Sequence, residues 1–233
     1  IVLIVFGWLS GCNFRLAGKD WGVVFLLSLL RAVTSFSLII AYQNIASGVA
    51  STIHFMYPLA VALAMMFFFR EKKSLLVILG AALLSLGELE AKSGNTMVGL
   101  VAACVSVFSY AGYIVGVRTT RAVQINSTAL TCYVMGLGTI FYLIGAYCTS
   151  GLQLVSDGYT WLIILGLALP ATAISNITLV QAIKYAGPTL TSILGAMEPL
   201  TAVVIGVFVF KELFTVNSAV GIILILLAVS IVV

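Results

Sequence analysis

Long apolar stretches broken by short polar ones run the length of this chain. A helix needs about 20 mostly apolar residues, each rising about 1.5 Å, to cross roughly 30 Å of hydrocarbon. On that measure the pattern predicts spans at 20–43, 46–69, 74–91, 96–117, 127–149, 158–182, 187–210 and 215–233, and a run at 1–10 too short to cross. Most breaks carry turn or charge signals, among them "RLAGKD", "REKKS", "RTTRAVQINS" and "KYAGP". Between residues 43 and 46 the break is only "QNIA".

Composition agrees with the pattern. Hydrophobic residues make up 62% of the chain and charged residues 8%, against roughly a quarter charged in a soluble domain. The expectation is an all-α integral membrane protein with nothing left over for a soluble domain. Cys12, Cys104, Cys132 and Cys148 form no CxxC pair and have no neighbouring histidine cluster, so packing is their expected role and neither metal nor cofactor is expected. "GCNFRLAGKD" has the wrong spacing for a phosphate loop, and Asp20 stands where Ser or Thr is required. Nucleotide and nucleic acid are not expected partners.

The heavily basic breaks alternate: Arg15 and Lys19, then Arg70, Lys72 and Lys73, then Arg118 and Arg121, then Lys184, with only single lysines, Lys92 and Lys211, in breaks on the other side. The positive-inside rule places the heavily basic breaks, and the C-terminus, in the cytoplasm. Arg31 is the one basic residue within an expected span.

Sliding the chain by 141 positions aligns "MYPLAVALAMMFFFREKKSLLVILG" with "MEPLTAVVIGVFVFKELFTVNSAVG". Met56 meets Met197, Pro58 meets Pro199, Phe67 meets Phe208, Glu71 meets Glu212 and Gly80 meets Gly221. The charge pattern puts the 70–73 break inside and its mate at 211–214 outside, so the halves, 1–92 and 93–233, are expected as an inverted repeat. Such repeats build secondary transporters, with substrate near the midplane. The same register leaves spans 96–117 and 127–149 without full mates. The chain, which begins at Ile1, is therefore expected to be part of a ten-span protein, lacking the first span and part of the second.

These two segments resemble the repeated signature of EamA-type members of the drug/metabolite transporter superfamily: mid-helix Pro58 and Pro199, helix-end Glu71 and Glu212, then Gly80 and Gly221. The resemblance implies two inverted five-helix halves around a central cavity, moving amino acids or related metabolites across a bacterial inner membrane, mostly outward. Its expected partners are a small-molecule substrate and membrane lipid, as a monomer or weak homodimer.

Several residues are candidates for the work. Pro58 and Pro199 lack an amide hydrogen and are expected to kink their helices. Glu198 is an ionisable group within a span, which costs several kcal/mol, from about 2.5 to 3.5 upward, and favours a bundle interior. Counting about 1.5 Å per residue, Arg31 and Glu198 both lie roughly 15 Å deep. Two readings stay open for them, a static ion pair or one that a substrate carboxylate and a proton or amine take apart. His54, the single histidine, is either a proton carrier or a hydrogen-bonded core residue. Ser51, His54 and Pro58 share a helical face, and Thr172 and Asn176 occupy the repeat positions of Arg31 and Ser35. Tyr57 and Tyr110 are candidate aromatic walls, while Tyr42 and Tyr113 read as interfacial anchors. Glu71 and Glu212 read as structural.

The leading expectation is a gradient-driven exporter of small organic solutes working by alternating access. A channel-like facilitator or uniporter is the alternative. An intramembrane enzyme is disfavoured because no nucleophile–base pair or metal cluster is visible.

Overall fold

In the computed structural model the described residues are 2–9, 11–12, 14–45, 47–69, 96–149, 157–195, 197–198, 201 and 208. The expected spans 74–91 and 215–233, with Arg70, Glu71, Gly80, Pro199, Glu212 and Gly221, lie outside them. Every regular element among the described residues is helical: α1 (Val2–Leu9), α2 (Trp21–Asn44), α3 (Ser47–His54), α4 (Tyr57–Phe69), α5 (Thr96–Thr119), α6 (Ser127–Thr149), α7 (Gly158–Leu167), α8 (Ser175–Ala186) and α9 (Pro188–Gly195). A π-helical stretch, Ala168–Ile174, joins α7 to α8. Four stretches are long and apolar enough to cross a membrane: Gly18–Asn44, Met97–Thr119, Ser127–Gly145 and Gly158–Ala186. Phe67, Phe68, Trp161, Leu162 and Leu167 are exposed, an apolar surface of the kind that lipid covers.

The chain divides into two compact units. The first holds residues 1–32 and 116–185, and the second holds 33–115 and 186–233, so each draws on both halves of the sequence repeat.

In the first unit α1 packs on α6, and the Tyr133 hydroxyl donates to the Phe14 carbonyl at 2.7 Å. The Trp21 and Tyr133 rings meet edge-on at 5.4 Å. Gly116, the last residue of "GYIVG", makes room for α2, since a Cβ there would lie 2.8 Å from Leu27 Cδ2. Asp157 caps α7 by accepting from the Thr160 amide at 2.9 Å and the Thr160 hydroxyl at 2.9 Å. The backbone bond from Thr160, then its hydroxyl, holds this carboxyl below its ordinary range. A depressed carboxyl stabilises fully above its unfolded value and loses that contribution as pH falls through the folded one. Hydrogen-exchange protection of the Thr160 amide is therefore expected to drop on acidification through the carboxylate range. In Asp157→Asn, which keeps a capping oxygen, protection is expected to lose that dependence.

In the second unit small side chains bring helices together. Ala41 of α2, Ile45 just past its end, Ala50 of α3, and Ala102 and Ala103 of α5 form one buried cluster. α9 packs on α4.

Candidate functional site

In the first unit, the half-buried Arg31 of α2 donates from Nη2 to Asn176 Oδ1 at 3.3 Å. Asn176, buried near the start of α8, donates in turn from Nδ2 to the Thr172 carbonyl at 2.7 Å. A guanidinium offers only donors, so the Asn176 amide must present its oxygen to Arg31 and its nitrogen to the carbonyl. The three expected residues thus converge, although Thr172 takes part through its backbone and its side chain is exposed. The cause lies in Pro170, which brings no amide hydrogen to the helix. The turn widens, and the Ser175 amide donates to the carbonyls of Pro170 and Thr172. Single π turns of this kind are frequent at functional sites.

In the second unit the expected span 46–69 is two helices. Pro58 cannot donate to the His54 carbonyl, so α3 stops at His54. The Met56 amide reaches the Ile53 carbonyl at 3.0 Å and the Leu59 amide reaches that of Met56 at 3.1 Å. α4 restarts at Tyr57 with Pro58 in its first turn, where a missing amide hydrogen costs least.

This break places His54 and Tyr57 against α5. The His54 ring centroid lies 5.4 Å from that of Tyr110 and 5.7 Å from that of Tyr57. Tyr57 and Tyr110 meet edge-on at 4.7 Å, and Tyr113 stacks on Tyr110 at 6.2 Å. Tyr57, Tyr110 and Tyr113 are all buried. The placement of Tyr113 corrects its reading as an interfacial anchor: it is 0% exposed and packed among protein groups. Ser106 donates to the Ala103 carbonyl at 2.6 Å and lies 3.0 Å from His54 Nδ1. With its only hydrogen so engaged, Ser106 accepts from His54, which fixes the neutral imidazole as the Nδ1–H tautomer.

Also in the second unit, Ser51 pairs with the Tyr42 hydroxyl at 3.2 Å. Thr191 Oγ1 is buried without a hydrogen-bond partner among the described residues. Gly195, one helical turn on, lies so close to Tyr57 that a Cβ would collide with the phenolic oxygen. Glu198 is exposed and lies three residues beyond Gly195. Arg31 belongs to the first unit and Glu198 to the second.

The profile of the EamA-like transporter family matches residues 97–233. The chain belongs to this family. An Archaeoglobus fulgidus protein named "uncharacterized transporter" is 28% identical over 222 residues, covering 94% of this chain and 79% of its own length. A crystal structure of a protein superposes with a TM-score of 0.82 at 17% identity, covering 99% of this chain and 82% of that one, a likeness of fold. This EamA-like chain is thus a multi-pass transporter of small solutes in a lipid environment rather than an enzyme.

Two features of this EamA-like transporter escaped the sequence reading. Ser106 did, although Ser106, Ser109, Tyr110 and Tyr113 form a polar stripe at helical spacing in an otherwise apolar span. Lys184, read as a loop charge, is buried in the last turn of α8. Its Nζ donates to the Ile125 carbonyl, while Arg118 donates to the Lys184 carbonyl. These bonds pin the end of α8 to the turn after α5.

Proposed function

We propose that the protein is a secondary transporter that exports small organic metabolites, amino acids or related amphipathic solutes, across a bacterial inner membrane by alternating access. Arg31 carries the reading. A charged residue within a span is costly and marks a substrate or ion path. Here it donates to a neutral amide oxygen, which a substrate carboxylate outcompetes as a charge-assisted, bidentate acceptor. Asn176 holds the guanidinium in place meanwhile. In the second unit Glu198 serves as a proton acceptor, with His54 and Ser51 as polar groups of the same unit and Pro58 at the break between α3 and α4.

The inverted repeat belongs to this proposal and has support. α3 and α9 have the same bounds after a shift of 141, Ser47 with Pro188 and His54 with Gly195. The charge pattern supports a cytoplasmic C-terminus.

Counterflow in liposomes, with radiolabelled amino acids, nucleosides and polyamines, tests the reading. Saturable exchange of one class, weakened by Arg31→Met, is the expected result. Linear, non-exchanging flux would favour a channel-like facilitator, and no flux from folded protein across the panel would overturn the reading.

A further inference from the structure

Glu198 is the register mate of Tyr57, and Gly195 is the register mate of His54: each pair differs by 141 positions. Gly195 ends α9 and Tyr57 opens α4, two helices that pack together, while His54 ends α3 and Glu198 follows α9 by three residues, as Tyr57 follows α3. In a two-fold interface a contact between positions i and j is matched by one between j and i. The observed contact runs from Tyr57 to Gly195. Its two-fold counterpart runs from Glu198 to His54.

From this symmetry we infer that Glu198 and His54 form a proton-sharing pair, with the carboxylate facing imidazole Nε2. The inference rests on the transporter reading and adds a coupling ion to it. Three observations converge. Ser106 takes the Nδ1 hydrogen, so Nε2 is the nitrogen that gains and loses a proton. Tyr57 links the two positions, with its ring 5.7 Å from that of His54 and its phenolic oxygen against Gly195, three residues before Glu198. Glu198 is exposed while His54 is half-buried, so the carboxylate is the member open to exchange. Among the described residues, the other titratable groups near this pair are Tyr57 on α4 and Tyr110 and Tyr113 on α5, with Tyr42 of α2 one turn away through Ser51. Cys104 lies on the opposite face of α5 and is exposed.

The transferred proton moves between imidazole Nε2 and a carboxylate oxygen, with no other bond changed. A cationic substrate amine takes the place of that proton beside Glu198. The displaced proton leaves from imidazole Nε2 or the carboxylate to water, so one proton is released as each substrate cation binds, and the reverse exchange on the other side restores it.

Because the chain has a single histidine, nitrogen-15 imidazole NMR of the protein in nanodiscs reads this site alone. The expected result is an Nδ1–H tautomer in the neutral form. In Glu198→Gln the imidazole is expected to bind its proton about tenfold more weakly, one pH unit in midpoint, while Glu198→Asp retains the wild-type midpoint. An unchanged midpoint in folded Glu198→Gln would overturn the pair. Should that variant not fold, dipolar contact between imidazole nitrogen and carbon-13-labelled glutamate carboxyls in the wild type decides. Contact within about 5 Å, the reach over which an opposite charge moves a titration, supports the pair, and its absence overturns it. The measurement needs no transport, so a pair without flux would sink the transporter reading alone, and flux without a pair would sink this inference alone.

Discussion

Replacing Glu198 by glutamine is expected to lower saturable exchange by about two orders of magnitude while the protein stays folded. The side chain is exposed, so the change removes a charge without opening a cavity. What is lost is a counter-charge in a medium that solvates ions poorly. A charge within a span costs from about 2.5 to 3.5 kcal/mol, a penalty that binding of a counter-charge offsets, and each 1.4 kcal/mol is tenfold in an equilibrium. Thermal stability is expected to hold or rise, because a carboxylate no longer has to be held at membrane depth. Counterflow rates and melting midpoints measured on the same preparations test both parts. Full exchange with a raised midpoint would reduce Glu198 to a structural charge. Lost exchange with a lowered midpoint would mean that the carboxylate holds the fold, so that its effect on flux is indirect.

Span positions were legible because apolar runs of membrane-crossing length are bounded by charge. The expected 96–117 and 127–149 became Thr96–Thr119 and Ser127–Thr149. Departures from straight helix were harder to read. Pro58 was expected to kink its helix, whereas the chain breaks outright at Phe55 and Met56 before it, because a restart lets proline sit where no amide hydrogen is needed. Pro170 gave the same local signal, yet its helix stays continuous by widening into a π turn. A proline marks a lost hydrogen bond, and tertiary surroundings choose between break and bulge. Arg31, Asn176 and Thr172 were picked out as polar residues in apolar runs, but the use of Thr172 through its carbonyl follows from the bulge and had no side-chain signal. Ser106 and Tyr113 show the opposite limit. A tyrosine near a span end is common at an interface and a mid-span serine carries no direction of its own, and only the packing of α3 and α4 on α5 shows that both face inward.

Gly195→Ala is expected to destabilise the protein by about 1–3 kcal/mol, the range for forcing extra volume into a packed site. The new methyl would meet the oxygen of Tyr57, a side chain 3% exposed and fixed between the His54 and Tyr110 rings, so it cannot swing aside without disturbing both. Tyr57→Phe removes the colliding atom. In the double variant much of the cost is expected to return, giving a coupling of about 0.5–3 kcal/mol between the two positions. Denaturation midpoints of the four proteins in one detergent test this. Additive effects would mean that α9 and α4 relax apart at no cost. Coupling would show that the glycine is there to let a tyrosine lie across the helix, the close approach from which the reciprocal contact of Glu198 with His54 is inferred.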